Sequence, residues 1–270
     1  MSVADPFTTD APRAGYLYRL NPLAKLVAPL PAMVGLVFVR DVVTPLLFLG
    51  AAVLLLLTGA RLSGRMLGLL FGVIPAVVVV IAFGMSLWVD PTRVDQSITV
   101  LQLGTWHLYG GAALVGLATG VRLGAIIALA LAAGATTSGP DLVRSAVQQV
   151  RVPYRVGYTA LAAFRFVPRF AHELDVIRQA HRVRGAHGGR GPFAAIARWW
   201  GYVVPLLAGA IRHAERVALA MDARAFGAHP ARTERHVVRF RAADAVFIAA
   251  SWVATVVLFW LGLGLGGIAA

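Results

Sequence analysis

Two arginines stand in matching short motifs late in the chain, Val183-Arg184-Gly185 and Ala223-Arg224-Ala225. In each motif the arginine lies between small or compact neighbours at the end of a predicted helix. A guanidinium carries a fixed charge and five hydrogen-bond donors, which suits pairing with an acidic groove. The pattern therefore indicates a docking contact. Taken singly, either arginine is explained by default as a C-terminal cation favoured by the helix dipole.

Residues for catalysis or nucleotide binding are scarce. Lys25 is the one lysine and has no glycine-rich turn before it, so the sequence lacks a phosphate-binding P-loop. There is no cysteine, and the seven histidines include no i, i+4 pair with an intervening glutamate. We therefore expect no metal site and no cofactor. The sequence therefore predicts a protein that is not an enzyme and that does not bind ATP through a P-loop.

The bilayer is the expected solvent for much of the chain. Of its 270 residues, 59% are hydrophobic and 14% are charged, against roughly 45–50% and about 25% in soluble domains. We expect an all-α, polytopic membrane helix bundle with about five spans, the first two forming a helical hairpin. The apolar runs are Leu23–Val39, Val42–Leu57, Met66–Val89, Leu108–Ala135 and Ala243–Ile268.

Positive charge is concentrated between the last two spans. Residues 141–241 contain seventeen arginines and six acidic residues, and so carry eleven of the thirteen net positive charges. Basic segments of membrane proteins stay cytoplasmic, so the N-terminus should lie inside and the C-terminus outside the cell membrane. This orientation explains the basic composition without a nucleic acid partner. The predicted organisation is a cytoplasmic tail (1–22), four spans (23–135), a basic cytoplasmic domain (136–242) and a last span (243–270).

Two helices are predicted within the basic domain. One runs from Pro168, in its first turn, to Val183, with Gly185 as the residue after its end. The other covers Phe193–Phe226, and Pro205 should kink or divide it. A glycine-rich loop separates the two helices. Aromatic residues near the start of the second helix should anchor it at the membrane interface; they are Trp199, Trp200 and Tyr202.

Two of the spans carry small residues at every fourth position. Residues four apart share one helix face, so another helix backbone can approach closely there. The partner is either another helix of this chain or another membrane subunit. Arg122 lies inside one of these spans and is either a functional charge or a structural one. The small residues are Gly116, Gly120 and Gly124, with alanines at 112, 128 and 132, in one span, and Gly64, Gly68, Gly72 and Ala76 in the other.

Several segments together resemble one transporter family. The N-terminal segment Arg19-Leu20-Asn21-Pro22-Leu23-Ala24-Lys25-Leu26 is similar to a signature in which Asp-Pro followed by Lys-Leu is usual. Asn21 replaces that aspartate. Residues 152–154 (Val-Pro-Tyr) and 164–168 (Phe-Arg-Phe-Val-Pro) are also similar. The two arginine motifs resemble Ala-Arg-Gly motifs, from which Val183 and Ala225 depart. The family is the transmembrane T component of energy-coupling factor (ECF) transporters, the cobalt-transport permeases.

This resemblance implies a machine of several chains. Two ABC-type ATPases would bind ATP and receive Arg184 and Arg224, the ends of two coupling helices, in their grooves. A small membrane protein, the S component, would bind a vitamin or a transition-metal ion. This chain would transmit ATPase motions to it for uptake. A conventional ABC importer permease and, further away, a stand-alone membrane enzyme or channel are the alternative functions.

Overall fold

The computed structural model describes residues 15–60, 64–90, 99–103, 106–185, 191–229, 233–234 and 236–266. The N-terminal tail through residue 14, the glycine-rich loop at 186–190 and the residues after 266 lie outside these ranges, so the predictions made for them stay predictions. The described residues form two compact units. We call residues 15–142 and 238–266 the membrane unit, and residues 143–237 the basic unit.

Helices make up most of both units. In chain order they are α1 (Pro22–Val27), α2 (Leu30–Phe38), α3 (Val43–Gly59), α4 (Gly64–Gly68), α5 (Ile74–Trp88), α6 (Gly110–Ala135), α7 (Gly139–Gln149), α8 (Tyr154–Val183), α9 (Pro192–Asp222) and α10 (Ala242–Gly266). A π-helical turn, Leu69–Val73, continues α4 into α5. Between α5 and α6 a short antiparallel hairpin pairs β1 (Thr99–Leu103) with β2 (Trp106–Tyr109), an element that the sequence analysis did not predict.

Apolar helices lie where the five spans are predicted, and three of them have full membrane-spanning length. Within the described residues, three helical segments are long and apolar enough to cross a bilayer: Met66–Trp88, Gly110–Ala135 and Ala242–Leu265. Two shorter apolar segments, Pro22–Phe38 and Val43–Gly59, correspond to the predicted hairpin. The helical membrane bundle is therefore confirmed. Pro29 and Pro31 explain why the first segment is divided into α1 and α2, since proline cannot donate to the preceding turn.

The core of the membrane unit lies around α6, which packs against both α5 and α3. Ala125 and Ala128 of α6 are fully buried. Small side chains allow this close contact, because lipid is as apolar as the protein and association depends on backbones meeting. Larger side chains fill the space beside them, including Leu56 of α3 and Phe48, whose ring lies 4.8 Å from that of Phe259 in α10.

Arg122 has a structural role within the span where the sequence places it. Its guanidinium donates to the carbonyl oxygens of Val39, at 3.0 Å, and Val37, at 3.3 Å. These carbonyls belong to the end of α2, where the last turn lacks intrahelical donors. A cation at a helix C-terminus is also favoured by the helix dipole. The side chain therefore completes the end of one helix from the side of another.

Two helices of the basic unit have boundaries that differ from the predicted ones. The first predicted helix begins fourteen residues earlier than expected, at Tyr154 directly after Pro153, and Pro168 lies inside it. Because proline has no backbone N–H, Pro168 cannot donate to the carbonyl of Phe164, and the helix loses that one hydrogen bond. The helix nevertheless continues on both sides of it. The second helix ends at Asp222 rather than at residue 226, and it continues through Pro205 without a division.

Candidate functional site

The first arginine motif closes α8. Gly185 adopts a left-handed conformation with φ of 70°, and its amide donates to the carbonyl of Arg182 at 3.1 Å. Left-handed backbone is the usual way to stop a helix, and glycine adopts it without steric penalty. The reversal leaves Arg184 exposed at the last turn, beside Val183, whose side chain is 89% exposed.

The second motif ends its helix by the same backbone reversal. Ala225 has φ of 54°, its amide donates to the carbonyl of Asp222 at 2.9 Å, and the amide of Phe226 donates to the carbonyl of Met221 at 3.0 Å. This pair of bonds is the Schellman arrangement, in which a left-handed residue terminates the helix. Arg224 therefore stands immediately before a left-handed residue, as Arg184 does.

Ala225 is thus the geometric counterpart of Gly185. The sequence marks it only as a departure from an Ala-Arg-Gly pattern. An L-residue in left-handed backbone costs roughly 1–2 kcal/mol, because its Cβ approaches the following carbonyl. Both arginines are thus followed by a left-handed residue whose amide bonds to the carbonyl three residues earlier, although the two sequences differ.

Aromatic contacts fix the second motif on the start of α8. The ring of Phe226 lies 5.8 Å from that of Tyr154 and 6.0 Å from that of Tyr158. Arg155 donates to the carbonyl of Gly227 at 2.8 Å, and the Tyr154 hydroxyl donates to that of His229 at 2.8 Å. Edge-on aromatic pairs of this kind add about 0.5–1.5 kcal/mol beyond their buried area. The end of α9 is therefore anchored to the first turns of α8.

Helices α8 and α9 pack antiparallel along their lengths. Residues with increasing numbers on α8 contact residues with decreasing numbers on α9. Phe166 contacts His213, and Glu173 lies beside Gly209. The ring of His181 lies 5.3 Å from that of Tyr202. This register places the two arginines at opposite ends of the pair. About seven turns of α8 separate Tyr158, which contacts the second motif, from the first motif, a distance of about 40 Å.

The two arginines are available to a partner. Arg184 and Arg224 are exposed, and their guanidinium groups make no hydrogen bond or ion pair with the part of the chain that the structure describes. Neighbouring arginines behave differently: Arg178 donates to Asp175 at 3.3 Å. A guanidinium that is already bonded within its own helix has fewer donors left for another protein. The motif arginines keep all five.

The side chain of His213 lies between α8 and α9, and its pKa is lowered there. Burial desolvates its imidazole and lowers its pKa below the ordinary value of 6.5; Arg169 and Arg216 lower it further, and Glu173 opposes them. The ring lies 4.7 Å from that of Phe166. Its Nδ1 atom is buried and finds no hydrogen-bond partner among the described residues. The neutral imidazole therefore serves as packing between the two helices.

The small residues of the two spans have different surroundings. A Cβ added at Gly116, Gly120 or Gly124 would lie 2.2–2.5 Å from atoms of Val78 or Ala82 in α5. This face is therefore occupied by the chain's own helix. A Cβ at Gly64, Gly68 or Gly72 meets no described atom within 4 Å, and the last two line an open apolar groove. The small residues of α6 therefore pack closely against α5 of the same chain.

The interfacial aromatics differ from one another. Trp199 and Trp200 are 63% and 66% exposed, whereas Tyr202 packs against His181.

No group of three or more His, Cys, Asp or Glu side chains that could bind a metal occurs among the residues that the structure describes. The start of α8 and its contact with Phe226 had no clear signal in the sequence beyond the nearby aromatic residues.

Comparison with known proteins places the chain among transport proteins. Residues 15–235 match the CbiQ cobalt transport protein family. The energy-coupling factor transporter transmembrane protein EcfT of Thermosediminibacter oceani is 30% identical over 249 residues, which cover 90% of this chain and 92% of that protein. The protein of the same name from Limosilactobacillus fermentum is 26% identical, with 94% and 96% covered. A putative ABC transporter ATP-binding protein of Bifidobacterium longum is 29% identical over 92% of this chain and 32% of its own length.

Proposed function

Because the chain belongs to the CbiQ cobalt transport protein family and is the transmembrane T component of an energy-coupling factor transporter, we propose that it couples two ABC-type ATPases to a separate S component. The S component binds a vitamin or a transition-metal ion for uptake. The assembly lies in the cell membrane, with the basic unit in the cytoplasm. ATP binds to the partner subunits, and this chain performs no catalysis of its own.

One observation carries this proposal: two exposed arginines with the same backbone setting lie at opposite ends of one antiparallel helix pair. A pair of like docking points about 40 Å apart suits two copies of one kind of subunit. The helices between the two points are long and continuous. Movement at one docking point can therefore be carried along the pair as a lever.

The chemistry of docking follows from the helix ends. A left-handed residue follows each arginine, and each arginine is exposed where its helix ends. The five donors of its guanidinium match a carboxylate in a groove. Compact neighbours such as Ala223 allow a groove wall to approach. Truncating one partner of a buried charge pair costs about 2–5 kcal/mol in binding free energy.

Transport then follows from closure of the ATPases. When the ATPase dimer closes on ATP, the grooves that hold Arg184 and Arg224 move, and α8 and α9 move with them. The S component responds by tilting in the membrane. Substrate specificity belongs to the S component. This chain therefore needs no substrate pocket, and its task is mechanical.

The proposal is tested by removing both docking charges. Arg184→Ala combined with Arg224→Ala should abolish co-purification of the ATPases and substrate uptake, while the chain still inserts into the membrane. The matched control is Arg182→Ala with Arg212→Ala, because it removes the same charge from exposed positions on the same two helices. Normal amounts of ATPase on the docking variant, or equal loss on the control, would contradict specific docking at the motifs.

A further inference from the structure

Both connections between the membrane unit and the basic unit are fastened to the same short helix, α1. The chain leaves α6 after Ala135 and returns at Ala242, the start of α10, so the connections are residues 136–142 and 238–241. Helix α1 contacts both α6 and α10. Two of its residues reach the connections: Asn21, its N-cap, and Lys25, about one turn further on.

Lys25 binds the first connection. Its ammonium donates to the carbonyl oxygen of Thr136 at 2.5 Å, and both residues are 4% exposed. Thr136 is the C-cap of α6, and its hydroxyl donates back to Ala132 at 2.8 Å. Lysine is almost never buried unless its charge is paired. Here the charge lies at the negative end of a long helix, where a cation is favoured.

Asp244 and Asn21 bind the second connection. One carboxylate oxygen of Asp244 accepts from the amide of Asn21 and the other from the amide of Arg241, each at 2.7 Å. Asn21 caps α1 through a bond from the amide of Leu23 at 2.9 Å, and its side-chain amide donates to the carbonyl of Arg239 at 3.5 Å. Asp244 is 2% and Asn21 is 3% exposed. An aspartate at 21 could also cap α1, but it could not donate to Arg239.

A second hydrogen bond joins α1 to α10 beyond the contact between Asn21 and Asp244. The hydroxyl of Ser251 in α10 donates to the carbonyl of Ala28, the C-cap of α1, at 3.1 Å. Residues 21 and 28 therefore meet residues 244 and 251, so α1 runs beside α10 in the same direction. Both ends of α1 are fixed to α10, while its middle is fixed to the end of α6.

We propose that Asn21, Lys25 and Asp244 are positioning residues for energy coupling, which keep the two connections of the basic unit at a fixed separation. This inference rests on the proposed function. If the connections could separate, movement of the coupling helices would be absorbed there as local bending. With both connections fastened to α1, the movement is delivered to α6 and α10 together.

The test measures uptake and ATP hydrolysis in the same vesicles containing the full transporter. Lys25→Met keeps a long side chain but removes the ammonium, and we expect unchanged ATPase co-purification with uptake per ATP hydrolysed reduced about tenfold or more, the scale of losing a buried hydrogen bond to a charged group. Lys25→Arg should restore most of the ratio. Arg19→Met, which removes an exposed cation from the same segment, is the control and should leave the ratio unchanged.

Two outcomes separate failure of this inference from failure of the proposed function. If uptake and hydrolysis fall in parallel, or the ratio stays normal, Lys25 is merely structural and the inference is overturned. If the unmodified chain purifies without ATPases, the proposed function itself fails. The ratio of uptake to hydrolysis is informative because a simple loss of folded protein lowers both rates equally.

A second experiment does not depend on removing a buried charge. The sequence contains no cysteine, so Ala28→Cys with Ser251→Cys introduces a single pair across α1 and α10. Cross-linking this pair with a short bifunctional reagent should leave uptake per ATP unchanged, because the proposed contact does not open. Loss of uptake on cross-linking, recovered with a cleavable reagent, would overturn the inference by showing that α1 must move away.

Discussion

Replacing Ala225 with glycine should stabilise the end of α9, although most substitutions to glycine weaken a helix. Ala225 has φ of 54°, a left-handed conformation that costs an L-residue roughly 1–2 kcal/mol. Glycine removes this cost but adds about 0.5–1 kcal/mol of backbone entropy lost on folding. The net expectation is a gain of about 0.5–1 kcal/mol for the local structure that ends in Phe226.

Hydrogen exchange of the detergent-solubilised protein measures this gain where it arises. The amides of residues 225 and 226 donate the two bonds that close the turn, so their opening should become about two- to fivefold rarer in Ala225→Gly. Ala223→Gly is the matched control, since residue 223 has helical φ of −59°. There glycine should cost about 1 kcal/mol and speed exchange. Equal acceleration in both variants would refute a left-handed residue at 225.

Three further predictions concern packing and charge. Gly120→Leu should prevent α5 and α6 from meeting and lower the yield of monodisperse protein on size-exclusion chromatography, because even a Cβ there lies 2.5 Å from the carbonyl oxygen of Val78; Gly68→Leu, with nothing within 4 Å, should not, and equal yields would contradict the packing. Arg122→Met should lower thermal stability by about 1–3 kcal/mol through the unbonded end of α2, and Arg122→Lys should lose less; an unchanged melting midpoint would exclude this capping role. The lowered pKa of His213 means that the unfolded state binds more protons, so stability of the α8–α9 pair should be present above about pH 6.5 and decline as pH falls through that value; proteolysis of the basic unit should increase on acidification, and His213→Phe should show less of this increase.

The sequence predicts the spans because bilayer crossing depends on length and apolarity, which are local properties. It also predicts the end of α8, because Gly185 provides a left-handed residue that is visible in the sequence. It places the start of α8 wrongly, since Pro168 satisfies the rule for a first turn as well as Pro153 does. A proline inside a long helix is tolerated when the neighbouring turns remain bonded.

Features that depend on distant contacts were not accessible from the sequence. The left-handed Ala225 directly precedes Phe226, whose ring packs on Tyr154 and Tyr158, some seventy residues earlier. The sequence does not show whether the small residues on α6 pack against a helix of this chain or against another subunit. The role of Arg122 likewise required the end of α2 to be located. In each case the sequence indicates a property of one helix, and only the structure shows which neighbouring element contacts it.

In the proposed assembly, the two arginine ends contact two ATPase subunits at the same time. The absence of cysteine allows a photoreactive label to be attached at Val183→Cys and Ala223→Cys alone, each beside a docking arginine. In the assembled transporter, illumination should join each site to an ATPase, and the double variant should give a product that contains this chain with two ATPase chains. Labelling of lipid alone, or attachment of both sites to a single ATPase chain, would contradict the account.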